Sequence, residues 1–141
     1  KGDQVRIACL GGGPAGLYFA ISMKLRDPAH EIVVFERNQP DDPFGWGVVL
    51  SDETLTNLSE NDAKSAAAIR ENFSYWDDVA VHFRDQAIVS TGHGFCGIGR
   101  KKLLILLQQR VMWGLTCALV PRLKVPVFLL RNMTLWWRVT A

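Results

Sequence analysis

The run Gly11-Gly12-Gly13-Pro14-Ala15-Gly16 lies between an apolar stretch, Val5-Arg6-Ile7-Ala8-Cys9-Leu10, and an amphipathic one that begins at Leu17. A glycine-rich turn at a strand-to-helix junction leaves few folds open to a chain. Leu17, Ala20, Ile21 and Leu25 recur at helical spacing, which predicts a helix from Leu17 to Leu25 with those four on one face. Gly11, Gly13 and Gly16 fill the glycine positions of G-x-G-x-x-G. The first permits a tight turn, the second lets a phosphate approach the backbone, and the third lets helix and strand pack closely. Pro14 and Ala15 stand where the helix opens, and free N–H groups with the helix dipole favour an anion there. A second strand is predicted over Glu31-Ile32-Val33-Val34-Phe35-Glu36. A ribose-binding carboxylate stands about 20 residues beyond the last glycine in such units, and Glu36 fills that place. The competing reading of Glu36 is a solvated charge at a strand end. A carboxylate in the ribose site disfavours a 2′-phosphorylated nucleotide. The α/β class follows, with a βαβ unit and a dinucleotide pyrophosphate at its glycine turn.

Composition constrains the rest. With 141 residues, 48% of them apolar, the chain holds one domain at most. All 14 acidic residues lie between Asp3 and Asp85. Residues up to Arg110 carry 12 Lys and Arg, whereas Val111–Ala141 carries four and no acid. The net charge of +2 is therefore a property of the tail and points to no nucleic-acid partner. Three of the five tryptophans, Trp113, Trp136 and Trp137, also fall in that tail. Cys9, Cys96 and Cys117 have no C-x-x-C spacing, which predicts reduced thiols, a cytoplasmic location and no metal site. Neither a secretory signal nor an apolar run of about 20 residues is visible, so no membrane partner is expected.

Beyond the first unit, Asn38-Gln39-Pro40-Asp41-Asp42-Pro43 reads as a loop. Phe44-Gly45-Trp46-Gly47 sets two glycines around a large ring. Ser51 is a predicted helix cap, with Asp52 and Glu53 favourable in the first turn. Asp62 is a predicted cap for a helix from Ala63 toward Tyr75. Val79–Phe83 and Ala87–Ser90 read as a hairpin around Arg84-Asp85-Gln86. Gly92-His93-Gly94-Phe95-Cys96-Gly97-Ile98-Gly99 leads into a helix over Arg100–Arg110. His30 and His93 read as loop residues and His82 as an outward strand residue. For His93 a substrate contact is the alternative.

With these residues in view, the chain resembles the amino-terminal part of single-component FAD-dependent aromatic hydroxylases. It is most similar to the group acting on salicylyl-CoA and 2-aminobenzoyl-CoA. The stretches that carry the resemblance are Gly11–Tyr18, Phe44-Gly45-Trp46-Gly47-Val48-Val49-Leu50-Ser51-Asp52, and Gly92–Phe95 through Gly99-Arg100-Lys101. It spans Val5 to Arg110 and implies an incomplete Rossmann-like FAD-binding domain. It also implies that FAD, NAD(P)H and O2 together hydroxylate an activated aromatic CoA thioester. The cofactor carries that chemistry while the protein binds, orients and excludes water, so no catalytic side chain is assigned. By position, Gly11, Gly13, Pro14, Ala15 and Gly16 meet the pyrophosphate, and Glu36 meets the ribose. Arg37 lies beside the adenine or is a surface arginine. Gly47 and Val48 lie in the segment near the isoalloxazine. Arg100 opens a helix in an arginine-x-x-leucine pattern beside the flavin, where its planar fork suits a phosphate or ribityl oxygen. The alternative for Arg100 is a solvated helix start with Lys101 and Lys102. Trp46 shields the flavin or packs in the core. Two other readings stay open: a different FAD-dependent oxidoreductase, and a non-catalytic nucleotide-binding fragment.

After Arg110 the family pattern stops. Joining the third base of each codon to the first two of the next forces Val at Met112–Trp113 and Gly at Trp113–Gly114. It also forces Asp at Met133–Thr134 and Val at Trp136–Trp137. The shifted frame permits Arg-Asp-Val-Gly-Val-Asp-Leu-Arg-Phe from Arg110, then Tyr-Asp-Ala-Val-Val-Ala, then Asp-Gly, the order the family would show. Residues 1–110 are thus expected to be a partial FAD-binding domain. Residues 111–141 are expected to be a divergent tail, out of frame and forming no domain. A genuine divergent tail and a membrane-surface tail are the alternatives.

Overall fold

A computed structural model describes residues 4–38, 45–112, 117–121 and 134–138. In chain order the elements begin with β1 (Arg6–Leu10), α1 (Pro14–Arg26), β2 (Glu31–Glu36), β3 (Gly47–Ser51), α2 (Asp52–Asn61) and α3 (Ala63–Arg70). There follow β4 (Ser74–Trp76), β5 (Val79–Phe83), β6 (Gln86–Ser90), β7 (Phe95–Gly99), α4 (Arg100–Met112), β8 (Cys117–Pro121) and β9 (Thr134–Arg138). The chain divides into two compact units, 1–43 with 104–141, and 44–103. The predicted loop over 39–43, Phe44, and tail residues 113–116, 122–133 and 139–141 lie outside the described residues.

The first unit is an α/β layer with a four-stranded parallel sheet in the order β8-β2-β1-β9. Ile7, Ala8 and Cys9 are buried in succession, as in a parallel strand covered on both faces. On β2, Ile32 and Val34 are the buried positions. Helix α1 begins at Pro14, where a missing N–H costs nothing. Its buried face is Leu17, Ala20, Ile21 and Lys24. Leu25, expected on that face, is instead exposed, and the Lys24 ammonium donates to the Pro28 carbonyl at 2.8 Å. The stem of a lysine covers apolar surface while its head finds oxygen, which is how a cation enters this stripe. His30 is a loop residue as expected, yet it is buried, and its Nδ1 accepts from the Val5 N–H at 3.4 Å. Strands β8 and β9 pair with β2 and β1 respectively. Such ladders use main-chain groups, so they ask little of side-chain identity.

The second unit carries an antiparallel sheet, β3-β7-β4, and a separate hairpin, β5-β6. Ser51 caps α2 as predicted: its hydroxyl accepts from the Thr54 N–H at 3.3 Å. Ser51→Ala should lower stability by about 1 kcal/mol, measured by urea denaturation. The helix expected from Ala63 toward Tyr75 ends at Arg70. Asn72 Nδ2 donates to the Ala68 carbonyl at 2.8 Å, drawing off an acceptor of the last turn, and Ser74–Trp76 pairs with β7. An aromatic pair next to a serine forms a strand here because β7 supplies an edge, and no periodicity announces that. Gln86 joins β6 rather than the turn, and Arg84 adopts φ 53° at the tip.

Candidate cofactor site at the carboxyl edge of the parallel sheet

In a parallel sheet ligands bind beyond the carboxyl ends of the strands. Both Gly11–Gly16 and Glu36 sit there, at the ends of β1 and β2. Gly11 has φ +123°, a backbone conformation side chains rarely adopt, and its N–H donates to the Phe35 carbonyl at 2.8 Å. That bond carries the β1–β2 ladder into the loop and fixes where the turn starts. Gly13 precedes α1 with φ −70° and ψ 178°, and no side chain caps the helix start. A Cβ on Gly13 would meet nothing within 4 Å, so the space before the helix is open. A Cβ on Gly16 would run into the Gly11 carbonyl oxygen. Helix and loop are in backbone contact at that point, as the third glycine of the motif requires. Pro14 and Ala15 form the first turn, Ala15 exposed.

Glu36 does more than end a strand. Its Oε2 accepts from the Gly12 N–H at 2.7 Å and its Oε1 from the Asn38 N–H at 2.8 Å. The carboxylate is therefore held by two strands' loops at once, and a carboxylate has about four acceptor sites. Lone pairs remain for ribose hydroxyls. The role of Gly12 was not evident from the motif, which treats that position as free. A Cβ there would stand 3.0 Å from Glu36 Cβ. Arg37 is exposed.

The other three predicted residues lie in the second unit. Gly47 and Val48 open β3, opposite Gly99 and Ile98 of β7. A Cβ on Gly47 would stand 3.2 Å from the Ile98 carbonyl oxygen, so this glycine serves the sheet. Arg100 starts α4; its N–H donates to the Trp46 carbonyl at 3.2 Å and its Cδ lies 3.4 Å from the Cβ position of Gly45. Core packing for Trp46 is excluded, because the residue is 101% exposed. His93 has a partner that sequence did not reveal, the Ser90 hydroxyl at 2.7 Å, and its ring stacks on Phe95 at 5.5 Å. His82 is exposed on β5, as expected. Burial pushes the Cys96 thiol up from its usual value, Asp52 adding to the effect. Among the described residues no three metal-ligating side chains gather, and no helix is long and apolar enough to cross a membrane.

The glycine loop, the uncapped helix start and the fixed acidic acceptor fit the diphosphate and ribose of a dinucleotide cofactor. The chain belongs with the FAD-dependent aromatic monooxygenases. It is 43% identical over 106 residues to a salicyloyl-CoA 5-hydroxylase of Streptomyces sp., a match covering 75% of this chain and 20% of that protein. It is 32% identical over 107 residues to a protodeoxyviolaceinate monooxygenase of Chromobacterium violaceum, covering 75% of this chain and 29% of that one. The chain thus spans about a fifth to a third of the curated relatives it matches. The fold is that of 2-methyl-3-hydroxypyridine-5-carboxylic acid oxygenase, with a TM-score of 0.72 at 20% identity, covering 86% of this chain and 32% of that one. It also matches p-nitrophenol 4-monooxygenase PnpA from Pseudomonas putida, with a TM-score of 0.66 at 16% identity, covering 84% and 32%. No protein-family model matches the chain.

Proposed function

We propose that this chain is a partial FAD-binding domain from an enzyme that hydroxylates an aromatic acyl-CoA, of the salicylyl-CoA or 2-aminobenzoyl-CoA type. The co-substrates in this reading are NAD(P)H and O2, and the compartment is the cytoplasm. The single observation that carries it is Glu36 bridging Gly12 and Asn38 beside an open, uncapped helix start. Gly11, Gly13, Pro14, Ala15 and Gly16 would hold the diphosphate through main-chain N–H groups and the α1 dipole. Glu36 would accept from the ribose, with Arg37 near the adenine. Gly47, Val48 and Arg100 would lie along the flavin end, Arg100 supplying a planar donor fork. Bound FAD supplies the redox chemistry, and the side chains here orient and shield rather than react.

Residues 1–110 form that partial domain in this reading, and 111–141 form a divergent tail translated out of frame. The curated matches run 106 to 107 residues, which suits a boundary near Arg110. DNA sequencing across the codon for Arg110 tests it: a single-base insertion or deletion is expected, and an intact gene whose relatives share the tail would overturn it.

A partial site leaves most of a large cofactor in water. The purified chain should therefore bind FAD weakly, by flavin-fluorescence titration, and hydroxylate no aryl-CoA. Glu36→Ala should abolish the residual binding. Stoichiometric yellow protein would overturn the inactivity, and unchanged FAD binding in Glu36→Ala would overturn the site.

A further inference from the structure

The hairpin β5–β6 is exposed along its whole length, and among the described residues neither of its outer edges pairs with another strand. A lone two-stranded hairpin is marginal in water. Alternation puts Val79, Val81 and Phe83 on one face, with Ile88 opposite Val81. Val81, Phe83 and Ile88 are 56%, 64% and 63% exposed, so that face is apolar and open. Phe83 and Gln86 close a two-residue turn, and a pair in that position exchanges both its main-chain hydrogen bonds. Val79, Val81 and Phe83 therefore turn their N–H and C=O groups toward β6, and Ala80 and His82 turn theirs to the free edge. Protected edges carry lysine, proline or a bulge, and Val79-Ala80-Val81-His82-Phe83 has none of these. Charge stands at the two ends of the strand instead. Asp78 precedes it and Arg84 follows it, the guanidinium lying 5.2 Å over the Phe83 ring.

We propose that the free edge of β5 is an interface on which a second copy of this chain pairs antiparallel, about a two-fold axis at Val81. The outward groups of Ala80 and His82 allow the axis at Ala80, Val81 or His82. With Val81 on the axis, Asp78 stands opposite Arg84 of the second copy, and symmetry repeats the pair. An axis at Ala80 or His82 loses both pairs. In the Val81 register Ala80 exchanges main-chain bonds with His82 of the second copy. Val79 then meets Phe83 of the second copy at the closer, non-hydrogen-bonded positions. A β-branched residue against an aromatic is a favourable cross-strand pair. Asp77 comes level with Asp85 of the second copy, but it lies outside the strand, where its Oδ1 accepts from the Gly94 N–H at 3.0 Å. The β6 edge has no such charge match, since an axis at Ile88 sets Asp85 opposite Thr91. The pairing uses only the hairpin and does not depend on FAD or on the cofactor site.

Sedimentation equilibrium of the 141-residue chain, over a wide range of loading concentrations, should show a monomer–dimer equilibrium that stops at the dimer. Arg84→Asp turns two opposite-charge pairs into like-charge pairs and should raise the dimer dissociation constant about tenfold. Aspartate tolerates the φ of 53° at this position, so the turn should hold. Adding Asp78→Arg restores opposite charges in the swapped sense and should return the constant to within about twofold of wild type. A purely local role for either residue would not be repaired in this way. Val81→Lys sets like charges against each other at the axis and should give a monomer with an unchanged circular dichroism spectrum. Val89→Lys, on the β6 edge, should leave the dimer intact. A chain that stays monomeric up to about 1 mM would overturn the proposal. So would oligomers growing past the dimer, a dimer indifferent to Val81→Lys, or a double reversal that fails to restore pairing.

Discussion

Gly16→Ala should destabilise the chain by about 3 kcal/mol, the size of a substitution that forces backbone apart in a packed element. Helix propensity alone predicts the opposite sign, since alanine is favoured over glycine in a helix by about 1 kcal/mol. The two effects are therefore separable in one measurement. A Cβ on Gly16 would fall on the Gly11 carbonyl oxygen. Neither partner is the free end of a side chain, so no rotamer change relieves the clash. Either α1 withdraws from β1, or the loop moves and strains the Gly11 N–H to Phe35 bond. Gly13→Ala is the matched control. Nothing stands within 4 Å of its Cβ and its φ is −70°, so stability should change by less than about 0.5 kcal/mol. The new methyl would still occupy the space before the helix, and FAD binding should fall without unfolding. Urea denaturation followed by circular dichroism reads the first effect and flavin fluorescence the second. A Gly16→Ala chain as stable as wild type would show that the loop and α1 are not in contact.

That contrast also marks how far the sequence alone reached. The first βαβ unit was legible because its signals are local. The three glycines, the apolar run Ile7–Cys9 and the acid ending β2 each state their place within a few residues. The second unit was less so. Its strands β3, β4 and β7 contain Gly47, Ser74, Gly97 and Gly99, residues that read as loop or helix end, and they are strands because they pair with each other. Pairing between Gly47 and Gly99 spans the whole unit, and no window of the sequence contains both. The same holds at the level of the site. Glu36 was found from its spacing, but its partner Gly12 was not, because the motif assigns that position no role. Asp52 was read as a helix-start acid, which it is. Its N–H bond to the Gly94 carbonyl appears only once β3 and β7 are adjacent. Leu25 and Lys24 show the limit of hydrophobic periodicity, for a lysine with a carbonyl in reach took the buried place.

Glu36→Ala should cost about 2 kcal/mol of stability before any cofactor is added. The reason is the pair of N–H groups it leaves behind. Hydrogen bonds to a charged group contribute about 1.5–3 kcal/mol each when buried, and less where water can replace the acceptor. Both bonds here are part-buried, at 2.7 Å to Gly12 and 2.8 Å to Asn38, so a value near the low end for the pair is expected. Glu36→Gln distinguishes charge from geometry. The amide oxygen can serve one N–H, but its NH2 group then faces the other, donor against donor. Gln should therefore retain only part of the loss, about half, and should not rescue fully. A solvated strand-end acid would behave differently, with both variants within about 0.5 kcal/mol of wild type. Urea denaturation of the three chains at neutral pH separates these outcomes. If alanine is tolerated, Glu36 does not brace the loop, and the ribose acceptor would have to be organised by the cofactor itself. If it is not, the acceptor is set by the fold before ribose arrives, and ordering it adds nothing to the cost of binding.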